Sequence, residues 1–185
     1  VSVAGSEVKN TYMVEMPAES SLEWLLAGNI KEGDVRVISG NVLSGTNVGK
    51  QGFLGFYETM ITVIPEGNYF DFFGWATPGF NKHSASRTFT AFLTPKRKFR
   101  LDTNFHGAER AFVLTDQYDK VFPFDILPVY LLKAILAGDI EKMEKLGIYE
   151  VAEEDFALCE YVCTSKIESQ QIVRDGIDLM IKEMS

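Results

Sequence analysis

Short runs of apolar and polar positions in the first third of the chain predict β-strands around one helix. Extended segments are predicted at residues 1–3, 11–16, 35–38 and 57–64. Leu22, Leu25 and Leu26 recur at i, i+3 and i+4, the spacing of one apolar helical face. Because this helix has a single face to bury, we expect it to cross a small sheet.

Both ends of the predicted helix carry stop and start signals. Ser20 and Glu23 form the S-x-x-E pattern of a capping box, in which each side chain bonds the backbone amide of the other residue. Gly28 stands where a helix C-terminus favours a left-handed residue.

The middle third predicts strand and loop, with further strands at residues 87–93 and 111–114. It contains an unusually aromatic stretch, NYFDFFGWATPGF, whose rings are Tyr69, Phe70, Phe72, Phe73, Trp75 and Phe80. Such rings, joined by Arg87, can line a pocket for a flat ligand. They can also form strand core or a patch that docks another polypeptide, and these two interpretations are favoured.

The last third is helical from the FPFD segment at 122–125, which we take as a domain boundary, giving domains 1–120 and 121–185. Asp125 is expected to cap a helix that tolerates Pro128 in its first turn. Gly138 and Gly147 are expected to end helices, and Asp139 to begin one.

Ser165 and Glu168 form a second S-x-x-E pattern before the final helix. That helix has an apolar stripe formed by Ile172, Val173, Ile177, Met180 and Ile181. Four short helices with tight connections predict a small bundle.

The charge balance argues against a nucleic-acid surface. The 185 residues have a net charge of -8, whereas phosphate binding requires a concentrated basic surface. A basic cluster is formed by Lys96, Arg97, Lys98 and Arg100. We interpret it as a solvated turn or strand edge, with contact to anionic headgroups or an acidic partner as the alternative.

Common enzyme, membrane and export signals are missing from the sequence. It has no G-x-G-x-x-G, P-loop or G-x-S-x-G motif, and with two histidines, His83 and His106, it cannot form a multi-histidine metal site. Charges and prolines interrupt the apolar stretch 121–137, so no membrane span is expected. The chain opens VSVAGSEVKN, without a signal peptide or initiator Met, and we expect it to be a fragment.

Cys159 and Cys163 are spaced to share one helical face. Aligned with the ferredoxin run C-x2-C-x2-C-x3-C-P, they take the last two ligand positions, while Glu153 and Phe156 occupy the first two. We therefore interpret the pair as a former iron–sulfur site at most, and otherwise as two buried thiols that pack as small hydrophobes. Their spacing makes them poor disulfide partners, which fits a cytosolic setting.

The sequence HGAER at 106–110 is a further candidate. His106, Glu109 and Arg110 could bind or protonate a quinone-like oxygen. Alternatively, Glu109 and Arg110 form a structural pair beside a turn at Gly107, and this interpretation is favoured. No catalytic or metal-ligating residue is assigned.

Several unbroken stretches resemble one family. VRVISGNVLSG, FLGFYETMITVIPEG, FFGWATPGFNKHSASRTF, FHGAERAFV, FPFDILPVYLLKAILAGDIEKMEKLG and EEDFALCEYVCTSK are similar, in this order, to the A subunit of the Na+-translocating NADH:quinone oxidoreductase (Nqr) family. The resemblance runs along essentially the whole chain. Ala108 and Thr164 depart from the family pattern, which has Gly and Pro there.

The resemblance implies an α+β fold: a soluble-ligand-binding β-grasp (SLBB-type) domain with a strand and loop extension, followed by a four-helix domain that has lost iron–sulfur ligands. It implies a peripheral position on the cytoplasmic face of the bacterial inner membrane, docked on membrane-embedded Nqr subunits. The FAD, FMN, riboflavin, iron–sulfur and quinone cofactors would belong to other subunits of a complex that passes electrons from NADH to quinone and exports Na+. The alternative is a direct contribution to a quinone site through His106, Glu109 or Arg110. A free-standing SLBB module is disfavoured because the resemblance includes the helical tail.

Overall fold

The first part of the chain forms a sheet that has five strands among the described residues. The strands are β1 (Ser2–Ala4), β2 (Tyr12–Met13), β3 (Val35–Ser39), β4 (Thr46–Asn47) and β5 (Met60–Pro65), with the one-turn helix α1 (Glu23–Leu26) between β2 and β3. These positions come from a computed structural model that describes residues 1–74, 76–85, 87–94 and 96–184. Contacts divide the chain into two compact units, Val1–Gly107 and Ala108–Ser185.

The sheet has the strand order β2-β1-β5-β3-β4. Its central pair, β1 and β5, is parallel, and the other neighbours are antiparallel. Alternate residues of the strands point to one face, and there they pack against the leucines of α1. The buried core of this unit comprises Val3, Val8, Leu22, Leu25, Leu26, Val37, Leu54, Ile61 and Val63.

The strand and helix predictions for this unit are largely confirmed, but its predicted capping box is wrong. The hydroxyl of Ser20 donates to the carbonyl of Pro17 at 2.6 Å, and Leu22 occupies the N-cap position without a side-chain bond. The backbone before α1 pairs with another segment instead: Ser21 forms a bridge with Phe53, and the carbonyl of Ser20 accepts from the amide of Leu54 at 3.0 Å. Gly28 has a φ of 70°, as predicted for a left-handed helix end.

The strand predicted at residues 87–93 is also wrong, because Thr90–Leu93 forms a 3-10 turn. Both the amide and the hydroxyl of Thr90 donate to the carbonyl of Pro78, at 3.3 and 2.9 Å. The amide of Thr94 donates to Ala91 at 3.1 Å. The amides of Thr90 and Thr94, which a strand would pair in a ladder, are bonded here to the loop and within the turn.

The second unit has four α-helices among its described residues: α2 (Pro128–Leu136), α3 (Ile140–Lys145), α4 (Ala157–Val162) and α5 (Ser169–Met184). Single 3-10 turns lie at Ile148–Glu150 and Glu153–Phe156. The buried core comprises Tyr118, Phe122, Val129, Leu131, Leu132, Ala134, Ile135, Met143, Ile148, Phe156, Cys159, Val173 and Met180.

The predicted punctuation of these helices is mostly confirmed. Pro128 is in the first turn of α2, and Gly138 and Gly147 have φ angles of 65° and 89°. Asp139 caps α3 by accepting a hydrogen bond from the amide of Lys142 at 3.1 Å. The cap predicted at Asp125 is wrong, since Leu127 precedes α2 and makes no side-chain cap.

The second predicted capping box is wrong as well. Helix α5 begins at Ser169, and the hydroxyl of Ser165 donates to the carbonyl of Ala111 at 3.0 Å. The amide of Gln170 in the first turn of α5 donates instead to the carboxylate of Glu160 at 3.1 Å. A residue of α4 thus satisfies an amide that we had expected a local side chain to bind.

Residues 108–120 belong to the helical unit, whereas the predicted domains were 1–120 and 121–185. Tyr118 is fully buried in the core of that unit, and Phe112 packs against it. No strand forms at 111–114, so that prediction is wrong. The carbonyl of Phe112 instead accepts a hydrogen bond from the side chain of Lys133 in α2 at 3.0 Å. A side chain of the helical unit thus takes the place of a strand partner.

Candidate functional site

A long excursion of the chain, residues 66–103, leaves the sheet at the end of β5. Hydrogen bonds join its first residues to its last. Arg36 donates two hydrogen bonds to the carboxylate of Glu66, at 3.0 and 2.7 Å. The hydroxyl of Thr103 donates to the same carboxylate at 2.5 Å and accepts from the amide of Gly67 at 2.9 Å. Arg36 and Thr103 hold the pKa of Glu66 below its usual range. Residues 66–67 and 103 are therefore held together where the excursion starts and ends.

An ion pair between a buried carboxylate and a largely exposed guanidinium forms a second fastening. Nε and Nη2 of Arg100 donate to the two carboxylate oxygens of Glu7 at 2.6 and 2.8 Å. Glu7 is only 2% exposed, and the hydrogen bond from Arg100 holds its pKa below the usual range although burial opposes this. Our prediction grouped Arg100 with Lys96–Lys98, but the structure gives it this separate role.

The sequence analysis missed Glu7, although one signal pointed to it. Glu7 directly precedes Val8 and follows the apolar residues of β1. A carboxylate between residues that are expected to be buried requires a cation partner, because charged side chains are rarely buried unpaired. That signal does not identify the partner, which lies 93 positions away.

Between the two fastenings, the aromatic side chains point outward. We call residues 69–80 the aromatic segment. Phe70 is fully exposed, Phe72 is 88% exposed, and a large part of each of Tyr69, Phe73 and Phe80 is also accessible. The interpretation of these rings as strand core is wrong, while the docking and pocket interpretations stay predictions. Trp75 lies outside the described residues.

His106 closes a polar corner at the base of the aromatic segment. Its Nε2 lies 3.5 Å from Asp102 and its Nδ1 lies 3.9 Å from Asp71. Asp71 also binds Lys82 at 2.5 Å, which is the main cause of its lowered pKa. The hydroxyl of Tyr69 donates to Asp102 at 2.8 Å, and this bond raises the pKa of Tyr69 to about 12.

The three residues predicted as speculative ligand contacts fall in different surroundings. His106 belongs to the first unit, where its ring meets that of Tyr69 edge to face at 6.1 Å between centroids. Glu109 and Arg110 are exposed at the start of the second unit. The amide of Arg110 donates to the carbonyl of Ser165 at 2.9 Å. The left-handed φ angles of His106 and Gly107, 45° and 145°, place a sharp bend of the backbone there.

Cys159 lies within α4, and Cys163 directly follows this helix. Cys159 is fully buried in the helical core, and Cys163, which follows the last residue of α4, packs against that core. Burial is the main cause that raises the pKa of Cys159 to about 12. Both side chains thus pack as small apolar groups. The described residues contain no cluster of three or more His, Cys, Asp or Glu placed to hold a metal ion.

An apolar groove of about 420 Å³ lies in the second unit, between α2 and α3. Its lining comprises Leu127, Tyr130, Lys133, Ala134, Ala137, Asp139, Lys142, Lys145 and Leu146. None of the three predicted ligand contacts belongs to this lining. Across the described residues, no helix has the length and apolar character of a membrane span.

Comparison of the sequence with known proteins identifies relatives of this chain. Residues 1–50 match a family model described as the NQRA C-terminal domain. The chain is 43% identical over 184 residues to the A subunit of the Na(+)-translocating NADH-quinone reductase of Klebsiella pneumoniae, and the alignment spans 99% of this chain and 41% of that protein. The chain is homologous to the A subunit of these reductases. This confirms the resemblance drawn from the sequence motifs.

Two further relatives with the same name are similar to this chain over nearly its whole length. The A subunit of the Shewanella denitrificans reductase is 41% identical over 183 residues, and that of Vibrio campbellii is 40% identical over 184 residues. The alignments cover 98% and 99% of this chain. In each case the chain spans 41% of the length of the relative that it matches.

Proposed function

We propose that this chain is a cofactor-free, peripheral part of a Na+-pumping NADH:quinone oxidoreductase, and that it docks on membrane-embedded subunits of the complex at the cytoplasmic face of the inner membrane. That complex would transfer electrons from NADH to quinone and couple the transfer to Na+ export. The names of the relatives support the assignment to the complex. FAD, FMN, riboflavin, iron–sulfur and quinone would be held by other subunits.

The observation that carries the docking role is the exposed aromatic segment. Soluble surfaces rarely leave several neighbouring rings open to water, and such patches mark interaction sites. Phe70 and Phe72 are more exposed than most side chains of their type. The bonds at Glu66 and Glu7 hold the two ends of the excursion, so the rings are presented from a fixed base.

The fold supports a matching domain assignment. A parallel pair of first and last strands at the centre of the sheet, with one helix between the second and third strands, fits an SLBB-type β-grasp. The four α-helices α2–α5 and the paired cysteines fit a degenerate iron–sulfur domain. We propose that the predicted boundary between 1–120 and 121–185 marks where the helices begin, and that 108–120 is a connection that packs on these helices.

The docking proposal is tested by co-sedimentation of the chain with Nqr membranes from a strain lacking the A subunit. We expect saturable retention above that on membranes that lack the whole Nqr complex, and Phe70→Asp/Phe72→Asp should remove this excess, because two charges on the aromatic segment oppose its burial against a partner. Phe56→Asp/Tyr57→Asp is the matched control, since these two rings are 62% and 91% exposed in the same unit. Absent retention of the folded chain, or equal loss in the control, contradicts docking through this segment.

A contribution to a quinone site is the alternative, and the polar corner favours it. His106, with the ring of Tyr69 beside it, offers a proton donor and an aromatic wall. In the assembled complex, His106→Ala should weaken quinone reduction severalfold, whereas His83→Ala should leave it unchanged. Equal turnover in wild type and His106→Ala would remove this role from His106.

A further inference from the structure

A long run of the chain lacks acidic residues. From Phe72 to Leu101 there is no Asp or Glu, although the sequence contains 26 acidic residues and has a net charge of -8. The same run contains the basic residues Lys82, Arg87, Lys96, Arg97, Lys98 and Arg100. This part of the chain therefore has the opposite charge to the chain as a whole.

Carboxylates outside the run neutralise two of these six charges. Lys82 pairs with Asp71 and Arg100 with Glu7, as described above. The guanidinium of Arg97 donates to neutral oxygens, the carbonyl of Phe80 at 3.1 Å and the side-chain amide of Asn81. Within the part of the chain that the structure describes, Arg87, Lys96 and Lys98 form no salt bridge, and all three are exposed.

Apolar side chains stand beside these charges. Phe92 and Leu93 are 51% and 69% exposed at the end of the 3-10 turn Thr90–Leu93. Ala91 in the same turn is buried, and Thr90 is bonded to Pro78. The turn is therefore anchored on one side while Phe92 and Leu93 remain accessible on the other. We call residues 87–98 the basic turn.

We propose that the basic turn binds the surface of an anionic lipid bilayer. Phe92 and Leu93 enter the headgroup region, while Arg87, Lys96, Arg97 and Lys98 contact lipid phosphates. Lys and Arg beside Phe and Leu is the composition of surface-bound membrane segments. A run of 30 positions without a carboxylate (72–101) suits a uniformly negative surface better than a protein partner, because protein surfaces carry charges of both signs.

The lipid contact goes beyond the docking proposed above, because it uses different residues from the aromatic segment and needs no partner protein. Its test uses protein-free vesicles, so the two proposals can fail separately. The chain is co-sedimented at low salt with vesicles of phosphatidylcholine alone and with vesicles that contain phosphatidylglycerol. We expect binding to the anionic vesicles, weakened by added salt as screening predicts, and at most traces on phosphatidylcholine.

Two double variants locate the contact. Lys96→Glu/Lys98→Glu should lower the partition coefficient on anionic vesicles roughly tenfold or more, since each basic residue near such a surface contributes severalfold to binding. The charge-matched control, Lys50→Glu/Lys120→Glu, should bind like the wild type. Phe92→Ser/Leu93→Ser should also weaken binding, whereas Phe53→Ser/Phe56→Ser, which changes exposed rings elsewhere in the same unit, should not.

Three results would overturn the proposal. The first is absence of binding to anionic vesicles by the folded chain, and the second is equal binding to both vesicle types. The third is an equal loss of binding in a basic-turn variant and its control. If the wild type does not bind vesicles but Lys96→Glu/Lys98→Glu loses retention on Nqr membranes, the basic turn contacts a protein partner instead. Circular dichroism of each variant ensures that lost binding does not reflect unfolding.

Discussion

Arg100 holds the buried carboxylate of Glu7 with two hydrogen bonds, at 2.6 and 2.8 Å, across 93 positions of the sequence. Glu7 lies in the turn after β1, and Arg100 ends the basic run that returns from the aromatic segment. The pair therefore joins the start of the first unit to the end of its long excursion. A guanidinium matches a carboxylate through two parallel bonds, which fixes direction as well as distance.

Removal of Arg100 should destabilise the first unit. Arg100→Met leaves the carboxylate of Glu7 buried without its cation, and we expect a loss of about 2 kcal/mol in the free energy of unfolding, less than for a fully buried pair because Arg100 itself is largely exposed. Urea denaturation of the chain measures this loss. Lys98→Met, which removes an exposed cation, should change the free energy by less than about 0.5 kcal/mol. Equal effects of the two variants would contradict a structural role for the pair.

The same pair should make stability depend on pH. Arg100 lowers the pKa of Glu7 in the folded state below the usual 4.5, so the unfolded chain takes up the proton first as the pH falls. The stabilisation is complete above about pH 4.5 and is lost as the pH falls through the lower folded-state pKa. Urea midpoints between pH 7 and pH 3 should decline less steeply for Glu7→Gln than for the wild type. In Glu15→Gln, an exposed control, the decline should follow the wild type, and identical slopes for all three chains would refute the linkage.

Gly176 should not tolerate a methyl group. Replacing a helical glycine by alanine normally stabilises a helix by about 1 kcal/mol. At Gly176, however, the new carbon would lie 2.9 Å from three side-chain atoms of Ile135, so α5 could not keep its distance from α2. We expect Gly176→Ala to destabilise the second unit by about 1 kcal/mol net, since overpacking outweighs the gain in propensity.

Thermal denaturation measures this effect, and a second substitution identifies its cause. Ile135→Val removes one methyl group and should make Gly176→Ala less costly in the double variant than in the wild-type background. Additive effects of the two substitutions would contradict close packing as the cause.

Cys159 should resist thiol reagents in the folded chain. Burial raises its pKa to about 12, so at pH 8 only about one molecule in ten thousand carries the thiolate that reacts. Reaction with Ellman's reagent should modify Cys163, which is partly accessible, well before Cys159, and urea should release the second thiol. Cys163→Ser should leave a chain with only the slow reaction. Fast modification of Cys159 without denaturant would contradict its burial.

Several local features of the fold follow from residues close together in the sequence. Gly28, Gly138 and Gly147 adopt the left-handed conformations expected at helix ends, and Asp139 caps α3. Leu25 and Leu26 are buried, as their spacing predicted. These features could be predicted because each depends on a residue and its neighbours within about one helical turn.

The two capping boxes show where this reasoning stops. Both S-x-x-E patterns were sound as local signals, yet Ser20 donates to Pro17 and Ser165 donates to Ala111. For α5, the carboxylate of Glu160 binds the amide of Gln170. A hydroxyl has several partners of similar energy, so the packing of neighbouring segments decides which one it binds.

For the candidate site, too, some features follow from the sequence and others depend on contacts between distant segments. The sequence by itself determined the aromatic segment, the acid-free run with its basic residues and the HGAER stretch, since these are matters of composition and order. Only the tertiary structure decided that Phe70 and Phe72 face outward, that Arg100 leaves the basic cluster to bind Glu7, and that residues 108–120 join the helical core. The physical reason is that burial and ion pairing depend on which distant segments come into contact. The order of residues along the chain shows which interactions each side chain can form, but not which partner it meets.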